Sequence, residues 1–302
     1  MSSMVTIGER ARNFGARPEI SARSVLVTIF GDSIVPTGGA IWLGDLIELA
    51  APFGFNDRLV RTSMYRLTAE GWFLTERVGR RSRYTLTEFA RREFADAEER
   101  IYGAVPPDWD GEWTLVLLGD RTPDSTEREK FARELSTRGF ARLGGGVLAF
   151  PGDGRETVAR SALVSGVAAS VPTASARFDD DLFGSDRALA DAFGLAAAAH
   201  RYREVIDRYE WTLAAVPESD RDAFAIRTMV VHDLRRATLV DPCLPEQLLA
   251  SDWPGEEARA LAAGAYLAVT ESAWRRLEQV AGLLRPAADS RFAASPASSP
   301  PS

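Results

Sequence analysis

Nine arginines and only three glutamates lie between Arg58 and Arg92, a local charge of +6 in a chain whose formal net charge is −7. A guanidinium is planar, permanently charged and able to grip a phosphate or the edge of a guanine with two parallel hydrogen bonds. Spacing decides whether such groups act together. Val60, Met64 and Leu67 recur at i, i+4 and i+7 and form an inward stripe. Arg58, Arg61, Thr62 and Tyr65 then face outward, with Arg66 at the edge. Arg80, Arg81 and Arg83 cluster around Gly79 and Ser82, between the apolar runs Trp72-Phe73-Leu74 and Tyr84-Thr85-Leu86. The first group suits the reading of base edges and the second the neutralisation of phosphates.

The elements that must carry these groups are legible around them. Asn56 is a good N-cap, Asp57 sits in the first turn beside the positive end of the helix dipole, and Gly71 ends the helix. Upstream, Ala22–Phe30 reads as an apolar helix capped by Ser21. Pro36 and Gly38-Gly39 break the chain, and Ile41–Ala51 reads as a second amphipathic helix. Pro52-Phe53-Gly54-Phe55 is the turn into the arginine-bearing helix. Three helices followed by a basic hairpin have the form of a winged helix-turn-helix, its third helix entering the major groove and its wing lying on phosphates or in the minor groove. Two outward arginines alone would equally suit a solvated helix, but the order of elements and the placement of the basic tip favour DNA. A role in protein contact would call for an apolar outer face, which Arg58, Arg61 and Thr62 do not provide.

Thr87 caps a further helix, 88–101, with Phe89, Phe94 and Ala97 inward. Val105-Pro106-Pro107-Asp108 is a linker. Trp113–Leu118 reads as a strand and Pro123–Arg138 as a helix with Phe131 and Leu135 inward. Phe140–Phe150 reads as two strands around Gly144-Gly145-Gly146, Arg155–Val164 as a helix and Val167–Ala176 as a strand. The order β-α-β-β-α-β is ferredoxin-like. From Leu182 the chain turns helical, over 186–215, 219–240 and 256–284, interrupted by Asp241-Pro242-Cys243-Leu244-Pro245. The expected fold class is α+β: a winged helix-turn-helix over 19–104, a ferredoxin-like domain over 109–178 and a helical domain over 182–285. Composition marks 1–18 and 286–302 as disordered tails.

Other chemistry is sparse. Cys243 is the one cysteine, which excludes an internal disulfide and a cysteine zinc cluster. The two histidines, His200 and His232, sit in helical stretches without metal-ligand spacing. Gly144-Gly145-Gly146 lacks the Lys-Ser/Thr of a phosphate loop, and no serine has the setting of a nucleophile elbow. No cofactor, no metal and no enzymatic activity are expected. With no apolar run of membrane-spanning length and no signal segment, the expected compartment is the cytoplasm. The alternative is a metal-dependent nuclease using Asp120. This residue ends the first strand of the ferredoxin-like segment and resembles in position the metal-binding aspartate of the CRISPR adaptation nuclease. One carboxylate is too few for metal-assisted hydrolysis.

Four stretches carry a family resemblance: RTSMYRLTAEGWFLTERVGRRSRYTLT (61–87), RIY (100–102), WTLVLL (113–118) and HDLRRATLVDPCLPEQLLASDWPG (232–255). Together they resemble the PaaX family of bacterial repressors of phenylacetate catabolism, from about Ala22 to Leu284. The turn D-P-x-L-P-x-x-L-L followed by D-W-P-G is the most specific part. The resemblance implies a homodimer on double-stranded operator DNA, released when an aryl-acyl-CoA such as phenylacetyl-CoA binds. It assigns DNA contact to Arg58, Arg61, Thr62, Tyr65, Arg80, Arg81 and Arg83. An acyl-CoA needs a basic mouth for its phosphates and an apolar pocket for its acyl group. Arg201, His232, Arg235 and Arg236 are the candidates for the mouth, although His232, Arg235 and Arg236 suit a solvated basic helix face, partly neutralised by Asp233, slightly better. Tyr202, Tyr209, Trp211 and Phe224 are either its pocket or ordinary core. The DP-LP and WPG elements read as packing signatures, with Trp253 filling a core.

Overall fold

The computed structural model describes residues 5–103, 109–119, 125–167, 171–178, 191–214, 216–287 and 291–292. It is a mixed helix-and-sheet structure with two antiparallel sheets. The chain divides into two compact units that do not follow the three expected domains. One comprises 1–104, 201–236 and 255–302, and the other 105–200 and 237–254. The expected helical domain is therefore split, its long helices grouping with the N-terminal segment.

The first unit opens with α1 (Ile7–Ala16), where composition suggests a disordered tail over 1–18. Thr6 and Glu9 form a reciprocal capping box, and Ala11 and Phe14 are buried. Helix α2 (Ala22–Ile29) is capped by Ser21, whose hydroxyl accepts from Ser24 N–H. It continues into a widened turn over Phe30–Ile34, where the Val35 N–H reaches back five residues to Phe30 O. Strand β1 (Ala40–Trp42) precedes α3 (Leu43–Ala50). The helix expected to start at Ile41 starts two residues later, because Ile41 and Trp42 pair with β3 (Arg81–Leu86). A short turn, Ala51–Phe53, leads to α4 (Asp57–Ala69). Strand β2 (Phe73–Val78) pairs with β3, so the sheet order is β1-β3-β2. Helix α5 (Glu88–Tyr102) is capped by Thr87 and buries Phe94. Phe89, expected inward, is exposed and meets Trp72 edge-on from outside.

The other unit contains β4 (Trp113–Leu117), α6 (Ser125–Thr137), β5 (Ala141–Gly144), β6 (Val147–Pro151), α7 (Arg155–Ser165) and β7 (Thr173–Ala176). The strand expected over 167–176 is shorter, and 168–170 lie outside the described residues. The sheet order is β5-β6-β4-β7, antiparallel throughout. Val116 and Leu148 pack on one face with Phe131, Leu135 and Val158 from the helices. Trp113 and Ala149 face the other way, onto Phe193, Leu195 and Leu244, with Trp253 at the margin. The DP-LP and WPG stretch is thus a packing element. Asp241 Oδ1 accepts from Cys243 N–H at 2.8 Å, folding a turn in which Cys243 has a positive φ of 56°.

The remaining helices are α8 (Leu195–Tyr209), α9 (Asp220–Thr238) and α10 (Gly255–Ala281). Of the helical stretch expected over 186–215, residues 186–190 and 215 lie outside the described residues. Residues 223–234 of α9 are buried on every side, so its polar groups need partners inside the protein.

Candidate nucleic-acid interface

Helix α4 forms because its signals agree. Asn56 Oδ1 accepts from Leu59 N–H at 2.9 Å, and Val60, Met64 and Leu67 are fully buried, each worth roughly 1.5–3 kcal/mol. That burial leaves Arg58, Arg61, Thr62 and Tyr65 on the opposite face, all exposed. Tyr65 is 74% exposed, too much for a core aromatic. Thr62 donates its hydroxyl to Arg58 O, and Arg61 pairs with Asp57 one turn back at 3.1 Å. Such an exposed i,i+4 pair is weak and leaves Arg61 available to a stronger anion.

The hairpin brings the second group together. Arg80 stands at the β2–β3 turn and Arg83 on β3 opposite Trp42 and Glu76, both exposed. Among the described residues, Arg58, Arg80 and Arg83 have no ion-pair partner. Arg81 differs from them. Its guanidinium lies 4.4 Å from the centre of the Trp42 ring and 3.5 Å from Asp45 Oδ1 in the first turn of α3. Burial lifts the Asp45 carboxyl above the usual range, with Arg81 pulling the other way. Arg81 therefore ties the hairpin to α3, which sets it apart from Arg80 and Arg83.

The turn into α4 is held by α1, which the sequence reading missed. Phe14 meets Phe53 edge-on at 5.7 Å. A Cβ on Gly15 would stand 1.9 Å from Phe53 O, so only glycine permits this approach.

Helix α2, which packs behind α4, presents Ser24, Thr28 and Asp32 at four-residue intervals toward α9. Thr28 donates to Ser24 O, so its hydroxyl accepts from His232 Nδ1 at 3.0 Å. Arg235 donates to Ser24 O. Arg227, fully buried, pairs with Asp32 at 2.7 Å, and the Tyr102 and Tyr266 hydroxyls donate to the same carboxylate. Burial disfavours the charged form of Asp32, but Arg227 and Arg291 more than offset it and hold the carboxyl below its usual range.

This geometry corrects the expected basic mouth. His232 is fully buried, and burial together with Arg235, Arg236 and Arg17 pushes its pKa well below the ordinary value. It is a neutral clamp on α2, not a phosphate donor. Burial also brings the Arg235 pKa down to about 10. Arg201 and Arg236 stay partly exposed, Arg201 donating to Arg236 O. They are joined by two arginines that sequence spacing gave no reason to group, Arg17 and Arg208. Both reach Asp233, at 2.8 and 3.4 Å, with Arg236 at 3.9 Å. Tyr202, Tyr209 and Phe224 are buried core, and Trp211 is half-buried under Arg10.

Asp120 lies outside the described residues, and among the described residues no three histidine, cysteine or acidic side chains gather as a metal site. No helix among them is long and apolar enough to cross a membrane.

Residues 21–90 match the family described as PaaX-like protein, and residues 193–279 match the PaaX-like protein C-terminal domain. The chain is 34% identical over 286 residues to the transcriptional repressor PaaX of Escherichia coli (strain K12), covering 90% of this chain and 87% of that one. Among solved structures it shares the fold of the uncharacterized protein Rv0674 from Mycobacterium tuberculosis. The TM-score is 0.53 at 23% identity, over 85% of this chain and 97% of the other.

Proposed function

The chain belongs to the PaaX-like family, and we propose that it is a DNA-binding transcriptional repressor, a cytoplasmic homodimer released from its operator by an aryl-acyl-CoA. The observation that carries the DNA reading is the exposure of Arg58, Arg61, Thr62 and Tyr65 on α4 and of Arg80 and Arg83 on the hairpin that follows it, with Arg58, Arg80 and Arg83 lacking an ion-pair partner among the described residues. We read residues 19–104 as a winged helix-turn-helix and 109–178 as a ferredoxin-like domain. In this reading α4 lies in the major groove, where Arg58 and Arg61 reach guanine edges and Tyr65 offers apolar contact to a thymine methyl. The β2–β3 wing sets Arg80 and Arg83 on phosphates, and Arg81 sets the wing. Two copies place two such helices on a palindrome.

Effector release is the finer part of the proposal. The cluster of Arg17, Arg208 and Arg236 around the buried Asp233 carboxylate, with Arg201 donating to Arg236 O beside it, supports it, since such a group of guanidiniums suits the phosphates of coenzyme A. By linkage, a ligand that weakens DNA binding must itself be weakened by DNA to the same factor. The test is titration of the protein–operator complex with phenylacetyl-CoA, free CoA and phenylacetate. Release by the thioester alone is expected. Release by the free acid would remove the basic mouth, and an intact complex with every acyl-CoA tried would remove the effector class.

A further inference from the structure

Residues 30–32, where α2 gives way to its widened turn, are the point at which several parts of the first unit meet. The Phe30 ring lies 4.3 Å from Phe73, at the base of the hairpin. Gly31 packs so close to α5 that a Cβ there would stand 3.0 Å from the Phe94 ring. Asp32 takes Arg227 from α9, Tyr266 from α10 and Tyr102 from α5.

The end of the chain closes this point. Helix α10 ends at Ala281, yet Arg291 and Phe292 are 8% and 5% exposed. Arg291 donates to Asp32 O at 2.7 Å and Gly31 O at 3.3 Å, and reaches Glu98 at 2.8 Å. The Phe292 ring sits edge-on between Tyr102, at 4.9 Å, and Tyr266, at 5.1 Å. A helix leaves its last carbonyls without partners and favours a cation at that end. Arg291 meets both needs from a distant part of the chain, sharing Asp32 O with Arg227, which donates to it at 3.3 Å. The guanidinium lies 5.1 Å from the centre of the Tyr102 ring, and Phe292 fills the socket beside that ring.

We propose that Arg291 and Phe292 are positioning residues for operator binding: a strap that fixes the 30–32 turn and, through Phe30 and Phe73, the base of the wing. The functional half of this inference rests on the DNA-binding reading above; the structural half does not.

The experiment compares the full chain, a chain ending at Phe292, a chain ending at Pro286, and the variants Phe292→Ala, Arg291→Ala and Arg291→Lys. The probe is a duplex that the full chain enriches from random-sequence DNA, read alongside hydrogen exchange of amides 30–35. The chain ending at Phe292 should match the full chain. The chain ending at Pro286 and Phe292→Ala should bind about tenfold more weakly, a change of about 1.4 kcal/mol. Their salt dependence should be unaltered, because no phosphate contact is removed. Exchange at 30–35 should quicken in both, and Arg291→Lys should retain more affinity than Arg291→Ala. A synthetic peptide of residues 287–302, added to the chain ending at Pro286, should restore slow exchange. Unchanged affinity and exchange after removal of the strap would overturn the inference. So would equal losses in the two truncated chains, or a peptide without effect. If the full chain enriches no DNA, the DNA-binding reading falls and exchange at 30–35 alone decides the strap.

Discussion

Arg80 and Arg81 are neighbours of identical chemistry, and the structure separates their roles. Arg80 has no ion-pair partner among the described residues, whereas Arg81 stacks on Trp42 and pairs with Asp45. Each arginine that neutralises a phosphate contributes about 0.9 to the slope of log affinity against log salt. Arg80→Ala should therefore flatten the slope by about 0.9 per bound chain, so that affinity falls roughly 3.5-fold less between 50 and 200 mM salt. Arg81→Ala loses an exposed cation–π contact of about 0.5–1 kcal/mol and an exposed ion pair of about 0.2–1 kcal/mol. Together about 0.7–2 kcal/mol, these losses should lower affinity roughly three- to 25-fold at every salt concentration, with the slope unchanged. Asp45→Asn should reproduce only the ion-pair part. The assay is fluorescence anisotropy on an operator duplex across a salt series. A slope flattened equally by Arg81→Ala and Arg80→Ala would show that Arg81 leaves Trp42 to bind phosphate, and the anchoring argument would fail.

Three further outcomes follow from the same unit. Gly15→Ala should push α1 off Phe53, destabilise the unit by about 1–3 kcal/mol in urea unfolding and weaken operator binding, whereas Gly44→Ala, with open space around it, should do neither. Arg227→Met should cost about 3–5 kcal/mol because it leaves the Asp32 charge buried, and the double variant with Asp32→Asn should lose less than Arg227→Met alone; equal losses would deny the pairing. His232 is neutral when folded, its pKa lying below the unfolded value, so its contribution is intact above about pH 6.5 and is lost as pH falls below that point. A His232→Gln variant, facing the same Ser24, Thr28, Phe14, Arg17, Arg235 and Arg236, should show a flatter decline in stability between about pH 6.5 and 5; an unchanged decline would place the titrating group elsewhere.

Residues whose roles are set within a few positions were legible in the chain. Asn56, Val60, Met64 and Leu67 define α4 by capping and period, and once they are buried the outward set of Arg58, Arg61, Thr62 and Tyr65 is forced. Thr87 and Ser21 cap as their positions suggest. The Thr6–Glu9 capping box was equally local, but the composition around it reads as a tail and masked it. What was not legible depends on partners far along the chain. Ile41 and Trp42 continue the apolar pattern of α3 and become a strand only because β3 pairs with them. Arg81 looks like Arg80 until Trp42 and Asp45 are beside it. His232, Arg235 and Arg236 look like one basic face, yet α9 is surrounded, and the first two turn inward onto Ser24 and Thr28. The Ser24, Thr28 and Asp32 stripe of α2 was the missing signal. Three polar residues at four-residue spacing on an otherwise apolar helix require buried partners, and α9 supplies them as Arg235, His232 and Arg227. A bias applied to α9 can therefore reach α4 through α2 only if this polar seam shifts as a set, since a half-satisfied seam would strand buried donors and charge.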